Sequence, residues 1–312
     1  MRPDRAIRPK RPRLAWEPEF RARLERGDPV GAVDVLAARG PKRKGSIPGV
    51  VGKHAEAAAR ILADTGGSAL VRRDWALRLL VQPSSTHRTL AASLLPPLWK
   101  DYPRDVERAL TTLAEDDDWV TREDAASALG TILDAHFVAF LPRVREWIGG
   151  RSSRLRRAAV LGAKLAARGR EPDRAEPLLD LVEPALRDPD PYVRKNLGAF
   201  AIGDGLLRAY PDATLGRLER WAADDDENVR WNVAMAFTAA QGALHVGPAL
   251  AMLAPLAADE RRPVWRAVAS ALRNLARRRP KEVRPTLFAW RDDPKRKLVA
   301  ETAIALAPSV RV

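Results

Sequence analysis

The chain has 312 residues, enough for a large core, and 54 lysines and arginines against 40 aspartates and glutamates give it a net charge of +14. Because it contains no cysteine, its composition excludes disulfides, thiolate metal sites and cysteine nucleophiles. A strongly basic chain favours a polyanionic partner, most often nucleic acid, although a generically basic protein without such a partner is the simpler alternative.

Metal and membrane signals are absent from the sequence. The four histidines are scattered without metal-ligand spacing. No apolar run approaches the roughly 18 residues of a membrane span, and the basic N-terminus lacks the apolar core of a secretory signal. Phosphate-binding glycine loops and a serine hydrolase motif are also missing. We therefore expect a cytoplasmic monomer with no metal, cofactor or membrane association.

Residues 1–53 form a basic stretch that is repeatedly broken by proline. One short helical piece, near residues 19–38, interrupts it. Turn residues and charge predict a partly ordered segment, separate from a second region at residues 54–312. Either an unstructured tail or a basic arm lying along phosphates would fit this composition.

From about residue 68 the apolar residues recur at helical spacing, and no stretch alternates with period two, so we predict no strands. Seven segments align at intervals of 34 to 38 residues. Their first residues, called the anchors below, are His87, Thr121, Leu155, Val193, Val229, Val264 and Leu298. Such a period indicates stacked helix pairs. The pattern resembles the HEAT repeats over residues 68–306 and predicts an all-α protein, a right-handed α-solenoid of about seven HEAT-like helix pairs.

Arginine follows the anchor directly in five units and one position later in a sixth. The residues of this arginine column are Arg88, Arg122, Arg156, Arg194, Arg230 and Arg266. Acids precede each second helix, so one interpretation is a ladder of ion pairs that ties neighbouring repeats. The other sends the planar guanidiniums to DNA phosphates. Less regular basic clusters, such as "RSSRLRR" and residues 261–297, favour a basic track because stacking does not require them.

Aromatic residues fall into two groups. Trp147, Trp221 and Trp290 each lie eight residues before an anchor, and this fixed position predicts core residues. A second group lies around the starts of the second helices and comprises Trp119, Tyr192, Trp231 and Trp265. These rings would either line the inner surface, facing sugars or bases, or pack against the adjacent repeat. The segment "GDGLL" at 203–207 is expected to be a helix kink.

Two acids follow Trp119 at the start of the same predicted helix. Asp124 occupies a polar column, three residues after the anchor, that also holds Asn196 and Asn232, and Glu123 lies beside it. Carboxylates on the inner face of a basic groove oppose DNA binding unless they have a function. The local alternative is that they favour the helix dipole and pair with Arg122 or Arg156.

Residues 190–237, beginning "DPYVRKNLGAF", and residues 145–160, "REWIGGRSSRLRRAAV", resemble the HEAT-like bacterial DNA alkylation repair glycosylases. The resemblance implies a tryptophan and a carboxylate on the concave face, near the deoxyribose of a lesion. In the better-known branch the carboxylate follows the tryptophan by four residues, which gives Trp119 and Glu123, whereas the polar column gives Asp124. It also implies that Arg156 or Arg157 binds phosphate and that Trp231 or Tyr192 forms a second aromatic wall.

Taken with the charge, this resemblance predicts a protein that binds double-stranded DNA on a concave basic face. It would excise or recognise cationic alkylated bases, as a DNA glycosylase of base excision repair does. Two alternatives stay open, which are a non-catalytic binder of structured DNA and a protein–protein scaffold.

Overall fold

The computed structural model describes residues 14–41 and 52–306, and in these ranges it contains helices and no strands. The chain divides into two compact units, Met1–Ala125 and Ala126–Val312. The dividing point lies inside the helix that begins at Trp119. The remaining parts of the predicted N-terminal segment, residues 1–13 and 42–51, lie outside the described residues.

The first unit contains six helices and the start of a seventh within the described ranges. They are α1 Glu17–Glu25, α2 Pro29–Arg39, α3 Gly52–Thr65, α4 Ala69–Leu80, α5 Ser85–Leu94, α6 Pro103–Ala114 and α7 Trp119–Ala135. Side-chain caps start several of them. Ser68, for example, accepts a hydrogen bond from Val71 N, which satisfies one of the free N–H groups at the start of α4.

Two helices, rather than the one predicted near residues 19–38, form in the N-terminal segment. The break lies at Gly27, whose φ of +72° favours glycine, and at Asp28, which caps α2 by accepting from Gly31 N at 2.9 Å. Trp16 is buried and its indole Nε1 donates to His54 Nδ1 at 3.0 Å. Residues 14–41 therefore belong to the core of the first unit.

The second unit continues α7 and adds helices up to residue 306. These are α8 Phe137–Ile148, α9 Ser153–Ala166, α10 Ala175–Val182, α11 Pro191–Arg194, a π-helix Leu197–Leu206, α12 Leu207–Ala209, α13 Pro211–Ala222, α14 Glu227–Ala236, α15 Val246–Leu256, α16 Arg262–Arg278, α17 Pro280–Arg291 and α18 Lys297–Leu306. Short 3₁₀ turns connect several of them.

These helices form two layers in the second unit. In one layer, which we call the inner layer, α9 packs on the π-helix, the π-helix on α14, α14 on α16, and α16 on α18. In the outer layer α10 packs on α13, α13 on α15, and α15 on α17. All seven anchors lie near the start of a helix, and the predicted all-α solenoid is confirmed.

The buried residues follow the repeat. Trp147, Trp221 and Trp290 are buried in α8, α13 and α17, so the prediction that they are core residues is confirmed. Five of the seven anchors are buried as well. Leu155 is half-buried and Leu298, in the last inner helix described, is exposed.

The first four residues of the "GDGLL" segment, where a kink is expected, belong to a ten-residue π-helix, and Leu207 begins α12. The winding of the π-helix begins where Ala201 N donates to Asn196 O, five residues back. A Cβ on Gly203 would collide with Ala236 O and lie 2.8 Å from Ala239 Cβ, whereas one on Gly205 would lie 2.8 Å from Lys164 Cγ. The two glycines therefore allow the π-helix to pack closely against both α9 and the α14 region.

A glycine pair tests this close packing. We expect Gly203→Ala to destabilise the protein by about 2 kcal/mol, since overpacking a tight contact displaces backbone. Gly216 lies in α13 with open space around it, so Gly216→Ala should stabilise by about 0.5–1 kcal/mol through helix propensity. Urea unfolding of the two variants measures both values. Equal effects of the two substitutions would contradict the packing argument.

Candidate nucleic-acid interface

Three members of the arginine column, Arg88, Arg156 and Arg230, form the ladder of ion pairs that one interpretation of the sequence predicts. In the first unit Arg88 donates from Nε and Nη2 to the carboxylate of Asp116. In the second unit Arg156 does the same to Asp188, at 2.5 and 2.9 Å. The carboxylates lie about one repeat after the arginines, so each two-pronged pair ties successive repeats.

Each ladder carboxylate also organises the loop that carries it. Asp188 Oδ1 accepts from Asp190 N at 2.8 Å, and Asp190 in turn caps α11 by accepting from Tyr192 N. The loops at 116–118 and 224–226 repeat this Asp-x-Asp arrangement. The first aspartate therefore binds an arginine of another helix, and the second starts the next helix.

A ladder carboxylate near the C-terminal end has the clearest electrostatic signature. Asp259 accepts hydrogen bonds from Arg230 and from both the side chain and the backbone of Arg261. The Arg261 guanidinium is the main cause that holds the pKa of Asp259 well below its ordinary value of 3.8. Its side chain is only 3% exposed, so this charge depends on its partners.

The two remaining arginines that directly follow anchors are bound within their own loops. Arg122 Nη1 donates to the carbonyls of Asp116 and Asp117, at 2.6 and 2.9 Å, and Arg194 Nη1 donates to Asp188 O. All five of these arginines thus hold loop or ladder contacts. Phosphate binding by Arg122, Arg156, Arg194 and Arg230 stays a prediction, and it would have to coexist with those contacts.

Arg266 differs, because it belongs to a row of four arginines on α16, three of them exposed and Arg273 half-buried. Successive members of the row are four, seven and four residues apart, which places them within about 60° of the helix circumference. The row consists of Arg262, Arg266, Arg273 and Arg277. Helix α16 contains no acid, and none of these four side chains donates a hydrogen bond to another described residue. We call this surface the α16 arginine row.

The α16 arginine row was only partly found from the sequence. The repeat pattern identifies Arg266, which follows the anchor, whereas its three companions belong to the basic stretch at residues 261–297. Their spacing was the signal that could have identified them, since it matches one face of a helix. Arg279, in the same stretch, donates instead to Ala243 O and so has a structural contact.

Trp119, Glu123 and Asp124 lie in the first two turns of α7. Asp118 Oδ1 accepts from Val120 N and Thr121 N, which starts the helix at Trp119. The indole is 48% exposed, and both acids are half-buried. Residues four apart share a helix face, so Trp119 and Glu123 lie on the same side, whereas Asp124 is rotated away by about 140° from Trp119.

The other aromatic candidates are in the second unit. Tyr192 is the second residue of α11, and the buried Arg157 guanidinium lies 4.9 Å from its ring centroid. Trp231 and Trp265 are half-buried on α14 and α16. The structure therefore brings Arg157 and Tyr192 together through a cation–π contact. Arg156, rather than Arg157, is the arginine that forms the ladder pair with Asp188.

Two general features of the described chain bear on possible ligands. In residues 14–41 and 52–306 no three histidine, aspartate or glutamate side chains come together in a way that could hold a metal ion. Over the same ranges none of the helices is both long and apolar enough to cross a membrane.

Comparison with known proteins gives one family match. The model described as "DNA alkylation repair enzyme" matches residues 50–202, just under half of the chain and including Trp119, Glu123, Asp124 and Arg156. This match supports a function of the DNA-repair type. No curated protein matches the chain.

Several solved structures resemble the fold. The Escherichia coli protein YibA is 16% identical with a TM-score of 0.40, over 94% of this chain and 98% of its own. Importin beta is 12% identical with a TM-score of 0.34, over 94% of this chain and 42% of its own. At such TM-scores these structures say nothing about the site.

Removal of a ladder carboxylate should be costly and pH-dependent. We expect Asp259→Ala to lower the free energy of unfolding by about 3 kcal/mol at pH 7, because it leaves the partly buried Arg230 guanidinium without its carboxylate. The folded-state pKa of Asp259 is depressed, so its contribution is complete above about pH 4 and falls as the pH drops below that value. Chemical unfolding at pH 7 and pH 3 should show a smaller difference at the lower pH.

The matched control is Asp225→Ala. Asp225 also pairs with Arg230, at 3.2 Å, but its side chain is fully exposed. We expect a change within about 0.5 kcal/mol. A loss as large as that of Asp259→Ala would mean that burial does not decide the strength of these pairs.

Proposed function

We propose that this protein binds double-stranded DNA and recognises or excises cationic alkylated bases. The α16 arginine row is the observation that carries the DNA-binding part, and the family match over residues 50–202 supports the repair part. The α16 arginine row lies in the second unit, whereas Trp119 and Glu123, the residues proposed for repair, lie in the first, so separate experiments test the two parts.

The α16 arginine row is suited to a phosphate backbone. Arg262 and Arg277 are 15 residues apart, a distance of roughly 22 Å along a helix. Phosphates of one DNA strand follow one another at about 3.4 Å of axial rise, so such a row reaches several of them. Guanidiniums bind phosphate through two parallel N–H groups.

The contrast with the ladder supports this assignment. Arg88, Arg156 and Arg230 contact carboxylates that neutralise them. Arg262, Arg266 and Arg277 are exposed and carry their charge on the surface. A row of like charges on one helix face destabilises the helix slightly. A polyanionic ligand would relieve that repulsion.

Trp119 and Glu123 are the pair that we propose at a lesion. In a cationic base the N-glycosidic bond is already weakened, because the departing ring takes the bonding electrons and becomes neutral. The Glu123 carboxylate would stabilise the positive charge that develops on the sugar and accept a proton from the attacking water. The exposed Trp119 ring would lie against the deoxyribose.

Asp124 is the second candidate for the carboxylate. The common helix face of Trp119 and Glu123 favours Glu123. Asp124 matches the polar column that also includes Asn232, whose Oδ1 accepts from the buried Gly198 N at 2.9 Å. That contact connects neighbouring helices, which favours a structural task for the column and for Asp124.

The DNA-binding part is tested by salt dependence. The double variant Arg266→Gln, Arg277→Gln should weaken binding to a labelled 20-base-pair duplex and reduce the slope of log K against log [NaCl] by about 1.8, since each lost phosphate contact contributes about 0.9. Fluorescence anisotropy between 50 and 300 mM NaCl measures both. The control with the same charge change is Arg145→Gln, Arg220→Gln, on the exposed surfaces of α8 and α13. If this control reduced the slope of log K against log [NaCl] as much as the α16 double variant does, DNA binding would depend on net charge alone and not on the α16 arginine row.

The catalytic part is tested by base release. Wild type should release 7-methylguanine from alkylated duplex DNA, and Glu123→Gln should lower the rate by about 100-fold or more, with Asp124→Asn much less affected. Release is measured by chromatography of the free base, with circular dichroism to show that each variant is folded. If Asp124→Asn lowered the rate of base release more than Glu123→Gln, Asp124 would be the carboxylate that acts on the substrate.

Two outcomes identify the alternatives. Salt-sensitive binding with no release from any alkylated DNA would indicate a non-catalytic binder of DNA. An absence of duplex affinity at about 0.15 M salt, where unspecific DNA binding is already weak, would contradict the proposal and favour a protein–protein scaffold.

A further inference from the structure

A cavity of about 360 Å³ lies in the second unit, beyond the C-terminal end of α9. Its charged lining consists of four cations and one acid: Lys164, Arg168, Arg170, Arg208 and Asp204. None of these residues belongs to the arginine column.

The π-helix shapes this cavity. Gly205 lies so close to α9 that an added Cβ would be 3.3 Å from Lys164 Cα. That approach brings Asp204 within 2.8 Å of Lys164 Nζ. Asp204 also pairs with Arg208, one helical turn later. One carboxylate therefore holds two cations at the cavity, but it compensates only one of their charges.

Two further cations carry the excess charge. Arg168 and Arg170 are exposed, and neither guanidinium donates a hydrogen bond to a described residue. Arg170 is the one non-glycine residue in the described ranges with a positive φ, +56°, a conformation that L-residues rarely adopt. The nearby Asp134 is engaged by Arg174 at 2.6 Å, so it does not compensate them.

An aromatic ring lies beside one of these cations, Lys164. Phe200 is 53% exposed on the π-helix, and Lys164 Nζ lies 5.5 Å from its ring centroid. The attraction of cations to the end of α9 by its dipole accounts for Arg168. It does not account for an exposed phenyl ring or for a cavity with four cations around it.

We propose that this cavity binds the phosphate of a nucleotide, with the Phe200 ring against the adjoining base or sugar. Arg168 and Arg170 would donate to the phosphate oxygens, and Asp204 would keep Lys164 and Arg208 in place. An exposed ring next to cations is the combination that binds flat bases along a strand. The nucleotide is either part of a DNA strand or free, and the DNA form rests on the proposed function.

The cavity is tested with the double variant Arg168→Gln, Arg170→Gln and with Phe200→Leu, in the full chain. The control is again Arg145→Gln, Arg220→Gln, which removes two positive charges elsewhere in the second unit. Three probes are used: a labelled 20-base-pair duplex, a labelled 20-nucleotide single strand and deoxyadenosine monophosphate, with inorganic phosphate for comparison. Anisotropy gives the DNA affinities, and the rise in Tm gives the binding of the small ligands.

If the site belongs to DNA, the double variant should bind duplex or single strand about tenfold more weakly than the control and lose about 1.4 to 1.8 from the salt slope. Phe200→Leu should weaken the single strand more than the duplex, since unpaired bases are free to stack. If the site takes a free nucleotide, deoxyadenosine monophosphate should raise the Tm of wild type and control more than inorganic phosphate does, and the double variant should lose that rise.

Equal behaviour of the double variant and its control towards all probes would overturn the inference. This result is distinguishable from failure of the proposed function. Loss of DNA binding in the α16 variant alone would leave that function intact and the cavity without a role. Suppose that the wild type does not bind DNA but that deoxyadenosine monophosphate raises its Tm in a way that depends on Arg168 and Arg170. This result would support the cavity as a nucleotide site and contradict the proposed function.

Discussion

The ion pair between an arginine at the start of one inner helix and an aspartate about one repeat later is the contact on which the stacking of this protein depends. The pair of Arg156 and Asp188 shows how this contact works. The aspartate is buried, so it must be paired and hydrogen-bonded, and the arginine and the backbone of Asp190 meet that demand together. The same carboxylate thus orders its loop and, through the loop, positions the next helix.

A second constraint operates where the inner layer has no room for side chains. Gly203 and Gly205 are only two residues apart, yet they face the α14 region and Lys164 of α9 respectively. In an α-helix, two residues this far apart point about 200° from each other around the axis, so both glycines could face neighbouring helices. In this segment the chain winds as a π-helix instead. Asp204, between them, comes to lie against Lys164. Local backbone geometry thereby creates the cation cluster of the cavity.

The repeat was predictable because it is periodic. Anchors, buried tryptophans and the Asp–Arg ladder recur at a nearly constant spacing, and each follows from helical stacking. The π-helix was not predictable in the same way, since contacts near its start, such as Asn232 Oδ1 accepting from Gly198 N, come from another helix. For the candidate site, spacing placed Trp119 and Glu123 on one face of α7. The cavity depends on two segments distant in sequence, residues 164–170 and 204–209, which single-sequence patterns do not connect.

The ladder also affects how charge is distributed over the described residues. An arginine paired with a buried aspartate adds nothing to the net charge, and the two-pronged pairs of Arg88 and Arg156 are of this kind. The uncompensated positive charge of the described residues therefore lies outside these pairs, for example on Arg262, Arg266 and Arg277. Charges of one sign on an exposed face produce the long-range field that concentrates polyanions. The stacking contacts thus leave the surface arginines, rather than the arginine column, to supply that field.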